Sequence, residues 1–524
     1  MNKKEPTIQA RVKELLRPGF FGKKVRRVRL IQTHTSWVFL TGEFAYKVKK
    51  PVNFGFLDYT TLSARKFFCK EEFRLNCQLS PDIYIEVATV TESGSRLRLG
   101  GRGRVIDYAL KMRELPQASI MTERLKRDGV TFKHIDEIAR TISKFHDHAE
   151  SGREISRYGS FEIIKLNWDE NFAQTIEFRG KTITYRAFDE IKAAVERFIK
   201  EKRYLFRYRR ERGYVRKCHG DLHSRNIFIG DRVHIFDCIE FNPRFSCSDV
   251  ASEIAFMVMD LEYFGRKDLA DFFVERYLVY SKDVGLLRLL NFYKCYRAYV
   301  RGKVTSFNLN DPGIQKKAKS EAKIIAQKYF KLSKRYASQL QSVPKLVVMV
   351  GLPGTGKTYL ARRLASHFDA FHLMSDSIRK QLLGIPVGTH KFEGPGKGIY
   401  TRNVSKKTYA EMIRRARVFL SAGHNVVLDA TFLHEDSRQT ARALAKRIGV
   451  PILFVYAYCP ERTVIARMRR RVKEHSFSDA DIEVYRAMES RFTPPKADKN
   501  LVRIDTRQPI GTSLGKIERT LLHF

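Results

Sequence analysis

The sequence predicts a multidomain α/β protein, with a two-lobed α+β half over residues 1–340 and a half built on a parallel sheet over residues 341–524. Three observations carry that expectation. Short β-rich runs come first, and the region after them has mostly helical periodicity. In QSVPKLVVMVG the character changes abruptly: Pro344 breaks the helix, and an apolar strand runs straight into a glycine-rich loop. Beyond it the strand-like runs FHLMS, HNVVLDA, PILFVYAYC and NLVRID alternate with helical stretches, the pattern of a parallel sheet wrapped by helices. At 524 residues, two large domains fit.

Within the first half, VRRVRLIQ, SWVFLTG and FAYKVKKP form a small antiparallel sheet. A helix from Thr61 to Leu79 then places Phe68, Glu72, Leu75 and Leu79 on one stripe, so a carboxylate lies on an apolar face and needs a partner. IYIEVATVT is a further strand, GSRLRLGGRGR a weak turn, and VIDYALKMREL completes the β-rich lobe. No internal repeat or low-complexity tract interrupts the chain.

Hydrophobic residues make up 43% and aromatic residues 12%, enough apolar surface to exclude global disorder. The 7 cysteines are scattered without a CxxC pair, against a disulfide framework or zinc site and in keeping with a reducing cytoplasm. The start lacks the apolar core of a secretory signal, and no run is long enough to span a bilayer, so a soluble cytoplasmic protein is expected. A net charge of +41 attracts phosphates, nucleic acid or anionic lipid, or reflects a generally basic surface.

GLPGTGKT at residues 351–358 follows an apolar strand and opens a helix, which is the Walker A pattern in its required context. Gly351, Gly354 and Gly356 let backbone N–H groups turn inward around phosphate oxygens, Lys357 reaches the β/γ-phosphates, and Thr358 ligates Mg2+. Downstream, NVVLD ends in Asp429, the place from which a carboxylate holds the metal's water shell. Another strand ends in SDSIR, so Asp376 and Arg379 lie where open α/β sheets put their sites. Asp376 either takes a proton from an acceptor hydroxyl or caps the helix. Arg467, Arg470 and Arg471 share a helical face ahead of His475 and Ser478-Asp479-Ala480, either a lid over the phosphates or a solvated basic helix.

In the first half the central motif is HGDLHSRN at 219–226, followed by IFDCIEF at 235–241. The step from Asp221 to Asn226 is that of the kinase HRDxxxxN loop. One carboxylate must deprotonate the acceptor hydroxyl, while an amide and a second carboxylate beyond a hairpin hold Mg2+ on the phosphates of ATP. Asp221, Asn226 and Asp237 fill those roles in order, which makes this half protein-kinase-like. Phe44-Ala45-Tyr46-Lys47 resembles the strand carrying the kinase phosphate-binding lysine; Glu72 is its best partner, Glu71 an alternative, and Lys49 and Lys50 are competitors.

GLPGTGKT, SDSIRK, VVLDATFL and the arginine segment together resemble the P-loop kinase group that includes polynucleotide kinase and zeta toxin. That resemblance implies hydroxyl phosphorylation, with Asp376 as base, Arg379 and Arg438 near substrate or phosphate, and Asp429 near the metal. HGDLHSRN with FDCIEF is similar to the aminoglycoside phosphotransferase family over most of residues 25–305. Across the whole chain, with SWVFLT, KKPV and FLD contributing, the sequence resembles bacterial fusions of an aminoglycoside phosphotransferase with an AAA-type P-loop ATPase.

Residues 281–340 carry 14 Lys or Arg against 3 Asp or Glu, a field that repels polycationic acceptors. An anionic or hydroxyl-bearing small molecule fits better, and Asp249, Glu253 and Asp260 are either a local acidic patch or structural carboxylates bonding the catalytic loop. The leading expectation is a phosphotransferase that uses ATP and Mg2+ in two sites. A nucleic-acid end kinase is the second, with RYLFRYRRERGYVRK at 203–217 and the basic helices binding strands through phosphates and the interleaved Tyr293, Tyr296, Tyr299, Phe307, Tyr329, Phe330 and Tyr336. A nucleotide-gated binding module with a non-catalytic first half is the third, and the complete Asp221, Asn226, Asp237 set speaks against it.

Overall fold

The computed structural model describes residues 11–522 except 56, 95, 388, 390–397, 472–481 and 497. By contacts the chain forms two compact units, Met1–Asn167 with Tyr204–Asp260, and Trp168–Arg203 with Leu261–Phe524. Each contains one of the two tryptophans, Trp37 in the first and Trp168 in the second.

The first unit is built on a six-stranded antiparallel sheet of β1 (Arg29–Gln32), β2 (Ser36–Leu40), β3 (Phe44–Lys49), β4 (Tyr84–Ser93), β5 (Arg96–Leu99) and β6 (Arg104–Arg113), in the order β1-β2-β3-β6-β4-β5. Strand β5 falls in the segment read as a weak turn. Its Arg-Leu-Arg-Leu alternation puts Leu97 and Leu99 onto the core of Trp37, Phe39, Tyr46 and Val90, and that burial outweighs the flanking glycines. The Leu62–Asn76 helix starts at Thr61, whose side chain accepts from Ala64 N, and it buries Arg65, Cys69, Glu72 and Asn76 at helical spacing. Arg65 is paired there with Asp107 at 3.0 Å. The rest of the unit is largely helical, with two small antiparallel pairs: β7 (Val215–Lys217) with β10 (Cys247–Asp249), and β8 (Ile227–Ile229) with β9 (Val233–Ile235).

The second unit holds a five-stranded parallel sheet of β11 (Leu346–Val350), β12 (Phe371–Met374), β13 (Val426–Asp429), β14 (Ile452–Tyr458) and β15 (Leu501–Asp505), ordered β12-β13-β11-β14-β15. Strand β11 is buried along its whole length, as a central parallel strand covered on both faces must be. One face, with Val347, Met349, Val427 and Val455, packs on Leu360 and Leu364 of the Lys357–Phe368 helix and on Ile517.

The helices Lys267–Ser281, Leu287–Phe307 and Lys316–Gln339 pack in this same unit, tied to the α/β core by buried charges. Asp369, which ends the Lys357–Phe368 helix in a left-handed conformation, lies 3.2 Å from Lys294 Nζ and 3.8 Å from Lys267 Nζ. Glu262 lies 2.9 Å from Lys294 Nζ and 3.1 Å from Arg335, and it accepts from Tyr336 OH at 2.5 Å. Burial alone would raise Asp369, but Lys294 and Lys267 outweigh it and hold the carboxyl well below the usual aspartate range.

In residues 281–340 most aromatic rings are internal, whereas Lys294 and Arg297 are the buried members of a basic set that is otherwise partly or fully exposed. Tyr293, Tyr299, Tyr329, Phe330 and Tyr336 are buried, and Tyr296 packs edge-on against Trp168 at 5.4 Å, so these rings form core and not a stacking platform for bases. In the 203–217 stretch, Leu205, Phe206 and Arg209 are buried, while Tyr204 and Tyr208 are exposed. Among the described residues no helix is long and apolar enough to cross a membrane.

Removing one partner of a buried ion pair leaves the others uncompensated, at a cost of about 3–5 kcal/mol. Lys294→Ala is expected to destabilise the second unit by that order, read as a lower urea midpoint of Trp168 fluorescence in a Trp37→Phe background, with little change in the complementary Trp37 signal.

Candidate phosphotransfer sites

Residues two apart on a strand share a face, so Lys47 and Lys49 of β3 both point at the Leu62–Asn76 helix. Lys47 Nζ lies 2.7 Å from Glu72 Oε1 and 2.6 Å from Asp237 Oδ1. Lys49 Nζ lies 2.7 Å from Glu72 Oε2 and also pairs with Glu240, which accepts from Tyr59 OH at 2.5 Å. Glu72 thus binds two of the three candidate lysines, while Lys50 donates to Thr33 O at the surface and Glu71 pairs with Lys217 and Arg74. Only 1% of the Glu72 side chain is exposed. Burial would raise its pKa, but Lys47 and Lys49 outweigh burial and hold it down to about 2. Burial would lower Lys47, yet Asp237 and Glu72 keep the ammonium well above the lysine range.

Asp221 follows β7 on a loop whose backbone is fixed from behind. Glu253 accepts from His219 N at 3.1 Å, Gly220 N at 2.7 Å and His146 Nε2 at 2.8 Å, and Asp260 accepts from Ser224 N at 2.8 Å. Asp249 is paired with Arg209 at 2.5 Å. These three buried carboxylates are structural and do not form an acceptor-facing patch. Asn226 Nδ2 donates to both the carbonyl and the carboxylate of Asp221 at 3.0 Å. The β8–β9 hairpin then delivers Asp237, held at φ +68 with its N–H donated to Tyr84 OH at 3.2 Å. A left-handed aspartate is costly, and such conformations concentrate at functional sites. The side chains of Asp221 and Asp237 are 36% and 47% exposed, so both carboxylates reach solvent, Asp237 beside the half-buried Lys47.

His146, Cys218 and Glu253 bring ligand atoms within 4.8 Å of one another, a grouping their scatter in sequence hides. The Glu253 oxygens are already taken by the three N–H donors, which makes the cluster a support for the loop and a poor cation site. Cys218 and Cys238 are buried, and burial pushes both thiols well up, as packing residues require.

In the second unit, β11 runs into a tight loop. Gly351 has φ +141, and a Cβ there would lie 2.4 Å from Ala457 O; at Gly354 it would lie 2.6 Å from Val464. Gly356 precedes the Lys357–Phe368 helix as its N-cap. Lys357, 7% exposed, folds back to donate to Leu352 O at 2.7 Å. Thr358 lies close enough to Asp429 to favour its ionised form, and Asp429 Oδ2 lies 3.1 Å from His372 Nε2. Burial would raise Asp429, but His372, Lys357 and Thr358 outweigh it and hold the carboxyl below the usual aspartate range. A backbone cradle closed to any Cβ, an ammonium, and a hydroxyl beside an ionised carboxylate suit a polyphosphate with a hard cation, which takes oxygen ligands.

Asp376 is the second residue of the Ser375–Leu382 helix, whose N-cap is Met374, so the capping alternative fails. It pairs with Arg379 at 2.6 Å, and burial, opposed by Arg379, raises its pKa. The Arg379 guanidinium lies over the Tyr400 ring at 4.8 Å. Arg438, 1% exposed, donates to Phe432 O and to Glu435 at 2.8 Å, bracing the segment after β13. Arg467 donates to Thr506 Oγ1 at 2.9 Å and lies against the glycine loop, where a Cβ on Gly356 would be 3.1 Å from its Nη1. The side chains of Arg470 and Arg471, and the whole of His475 and Ser478-Asp479-Ala480, lie outside the described residues.

Sequence reasoning passed over His372, Thr506, Tyr59, Tyr84 and Glu240. A signal existed only for Glu240, which follows Asp237 closely. The others join the sites through strand register and chain crossings that spacing does not reveal.

A parallel sheet with this loop at its centre defines a P-loop kinase-like domain, and residues 346–495 match the AAA domain family. The chain as a whole is 31% identical over 488 residues to the Uncharacterized protein Rv2004c of Mycobacterium tuberculosis (strain ATCC 25618 / H37Rv), covering 93% of each, and it belongs to that protein's family. Part of it is 27% identical over 163 residues to 6-phosphofructo-2-kinase/fructose-2,6-bisphosphatase 1 of Rattus norvegicus, covering 28% of this chain and 32% of that one. Among solved structures, the Mycobacterium tuberculosis APS kinase CysC in complex with AMPPNP and APS is 19% identical, with a TM-score of 0.26 over 34% of this chain and 97% of that one. A gluconokinase from Sinorhizobium meliloti 1021 is also 19% identical, with a TM-score of 0.26 over 35% of this chain and 94% of that one.

Because Glu72 is held at about 2 against an ordinary 4.5, it contributes stability that is complete above about pH 4.5 and is lost as pH falls toward 2. The urea midpoint of the first unit, followed by Trp37 in a Trp168→Phe background, is expected to fall on acidification through that window and to fall less steeply in Glu72→Gln.

Proposed function

We propose that the chain is a phosphotransferase with two nucleotide sites, each using ATP and Mg2+ to phosphorylate a hydroxyl acceptor. Residues 1–340 form an aminoglycoside phosphotransferase-like, protein-kinase-like domain on this reading, and residues 341–524 a P-loop kinase. The observation that carries the first site is Lys47 bridging Glu72 and Asp237 at 2.7 and 2.6 Å, which joins two residues of the β-rich lobe to one that follows the catalytic loop.

In that site Asp221 takes the proton from the acceptor hydroxyl, held in place by Asn226. Lys47, kept charged and oriented by Glu72, neutralises phosphate oxygens, and Asn226 and Asp237 are the ligands for Mg2+. The cation supplies charge neutralisation on the transferring phosphoryl group. In the P-loop site the backbone of Gly351, Gly354 and Gly356, with Lys357, binds the phosphates, and Thr358 and Asp429 serve the metal. Asp376 is the base: a half-buried carboxylate with a raised pKa is a stronger proton acceptor, and Arg379 orients it. Arg379, Arg438 and Arg467 are assigned to phosphate or substrate contacts, and Arg471, whose side chain lies outside the described residues, is assigned with them on sequence alone. The acceptors are anionic or neutral hydroxyl-bearing small molecules, since a net charge of +41 disfavours polycations.

Calorimetry on the parent is expected to give two ATP equivalents per chain, and on Lys357→Ala one. Label transfer from ATP into a metabolite extract should fall by about 10^2–10^4-fold for one product in Asp221→Asn, the usual loss for a general base. Unchanged transfer in Asp221→Asn would remove the first site from the proposal, and a single equivalent in the parent would remove the two-site reading.

A further inference from the structure

We propose that His372 is a positioning residue of the P-loop site, its ring fixing the Asp429 carboxylate in the orientation that serves the metal. The inference rests on the metal-assisted phosphotransfer proposed above for that site. It concerns a residue to which no motif points, because its role arises from how two strands lie side by side.

Strands β12 and β13 run parallel with His372 opposite Val427 and Met374 opposite Asp429. Opposed residues share a face, and so do residues two apart, which places His372 and Asp429 on the same face, diagonally adjacent. That face also carries Val427 and Met349 and is covered by the Lys357–Phe368 helix, which brings Thr358 over Asp429. An ionised carboxylate only accepts hydrogen bonds, so the 3.1 Å contact requires the proton on His372 Nε2. Asp429 therefore has one oxygen fixed by the imidazole. Lys357 and Thr358, the groups assigned to the phosphates and the cation, also act on Asp429; once they serve a bound nucleotide and metal, His372 remains as the group holding the carboxylate in place.

The histidine is itself supported. Strand β12 is an edge of the sheet, and its amides alternate in direction: Phe371 N donates inward to Asn425 O at 2.8 Å, and His372 N donates outward to Asp271 Oδ2 at 3.1 Å. Asp271 is held by Lys267 at 2.8 Å, and Lys267 belongs to the buried network that also contains Asp369 at the end of the Lys357–Phe368 helix. The helix that carries Lys357 and Thr358 and the strand that carries His372 are thereby anchored to the same charged cluster. Support of this kind beyond the metal's own ligands commonly changes metal affinity by about 10–100-fold when removed.

A buried histidine that merely packs would give a different result from one that positions a carboxylate. The test uses the full chain and compares His372→Leu, which fills the space without a donor, with His372→Gln, whose amide N–H reaches the same place. ATP binding is titrated by calorimetry across Mg2+ concentrations and in EDTA, reading the binding class that Lys357→Ala removes. The expected result is that His372→Leu raises the Mg2+ concentration for half-maximal effect by about 10-fold or more, that binding in EDTA is unchanged, and that His372→Gln restores most of the loss. An unaltered Mg2+ requirement in His372→Leu overturns the inference. So does an equal loss with and without Mg2+, the mark of a packing role, or a Gln variant as impaired as the Leu variant. If the parent's P-loop class binds ATP without any dependence on Mg2+, the metal-assisted reading of that site fails instead, a result seen before any variant is made.

Discussion

A carboxylate taken out of water must be met by cations or N–H donors, and in each unit of this protein that requirement fixes the geometry around the phosphate-handling groups. Glu72 is surrounded by Lys47 and Lys49, Glu253 by two backbone amides and an imidazole, and Asp369 by two lysines. Each of these three carboxylates sets the position of an element that carries candidate site residues: β3, the loop of Asp221, and the helix of Lys357.

The same requirement draws several basic residues into the interior. Lys49, Arg65, Arg209, Lys267, Lys294 and Arg297 are all buried, and the first five meet a carboxylate within 3.0 Å. Within residues 281–340 Lys294 and Arg297 are the two basic residues buried, while its tyrosines pack largely into the core between helices. The field that remains at the surface favours anionic ligands and is weak evidence about any particular one.

Several features could be read from the chain because they depend on contiguous residues. The glycine loop at 351–358, the Asp221 to Asn226 step and the strands around Asp429 are local patterns, in which backbone freedom, spacing and hydrophobic periodicity act over a few residues. Strand β5 was misread for a related reason: the glycines on either side are a strong local signal, whereas the core that buries Leu97 and Leu99 is assembled from distant strands. Lys50 could not be set apart from Lys47 and Lys49 locally either, since that depends on which face of β3 meets the Leu62–Asn76 helix.

By itself the sequence determined the two motif sets, the parallel sheet after residue 341 and the acid, amide and lysine groups available for phosphotransfer, because each is written in adjacent or regularly spaced residues. Only tertiary structure decided that Glu72 serves two lysines, that Asp249, Glu253 and Asp260 are internal supports, and that His372 lies on Asp429. Those outcomes follow from strand register and helix docking, which bring together groups tens to hundreds of residues apart, and the cost of burying a charge selects the partners that meet there.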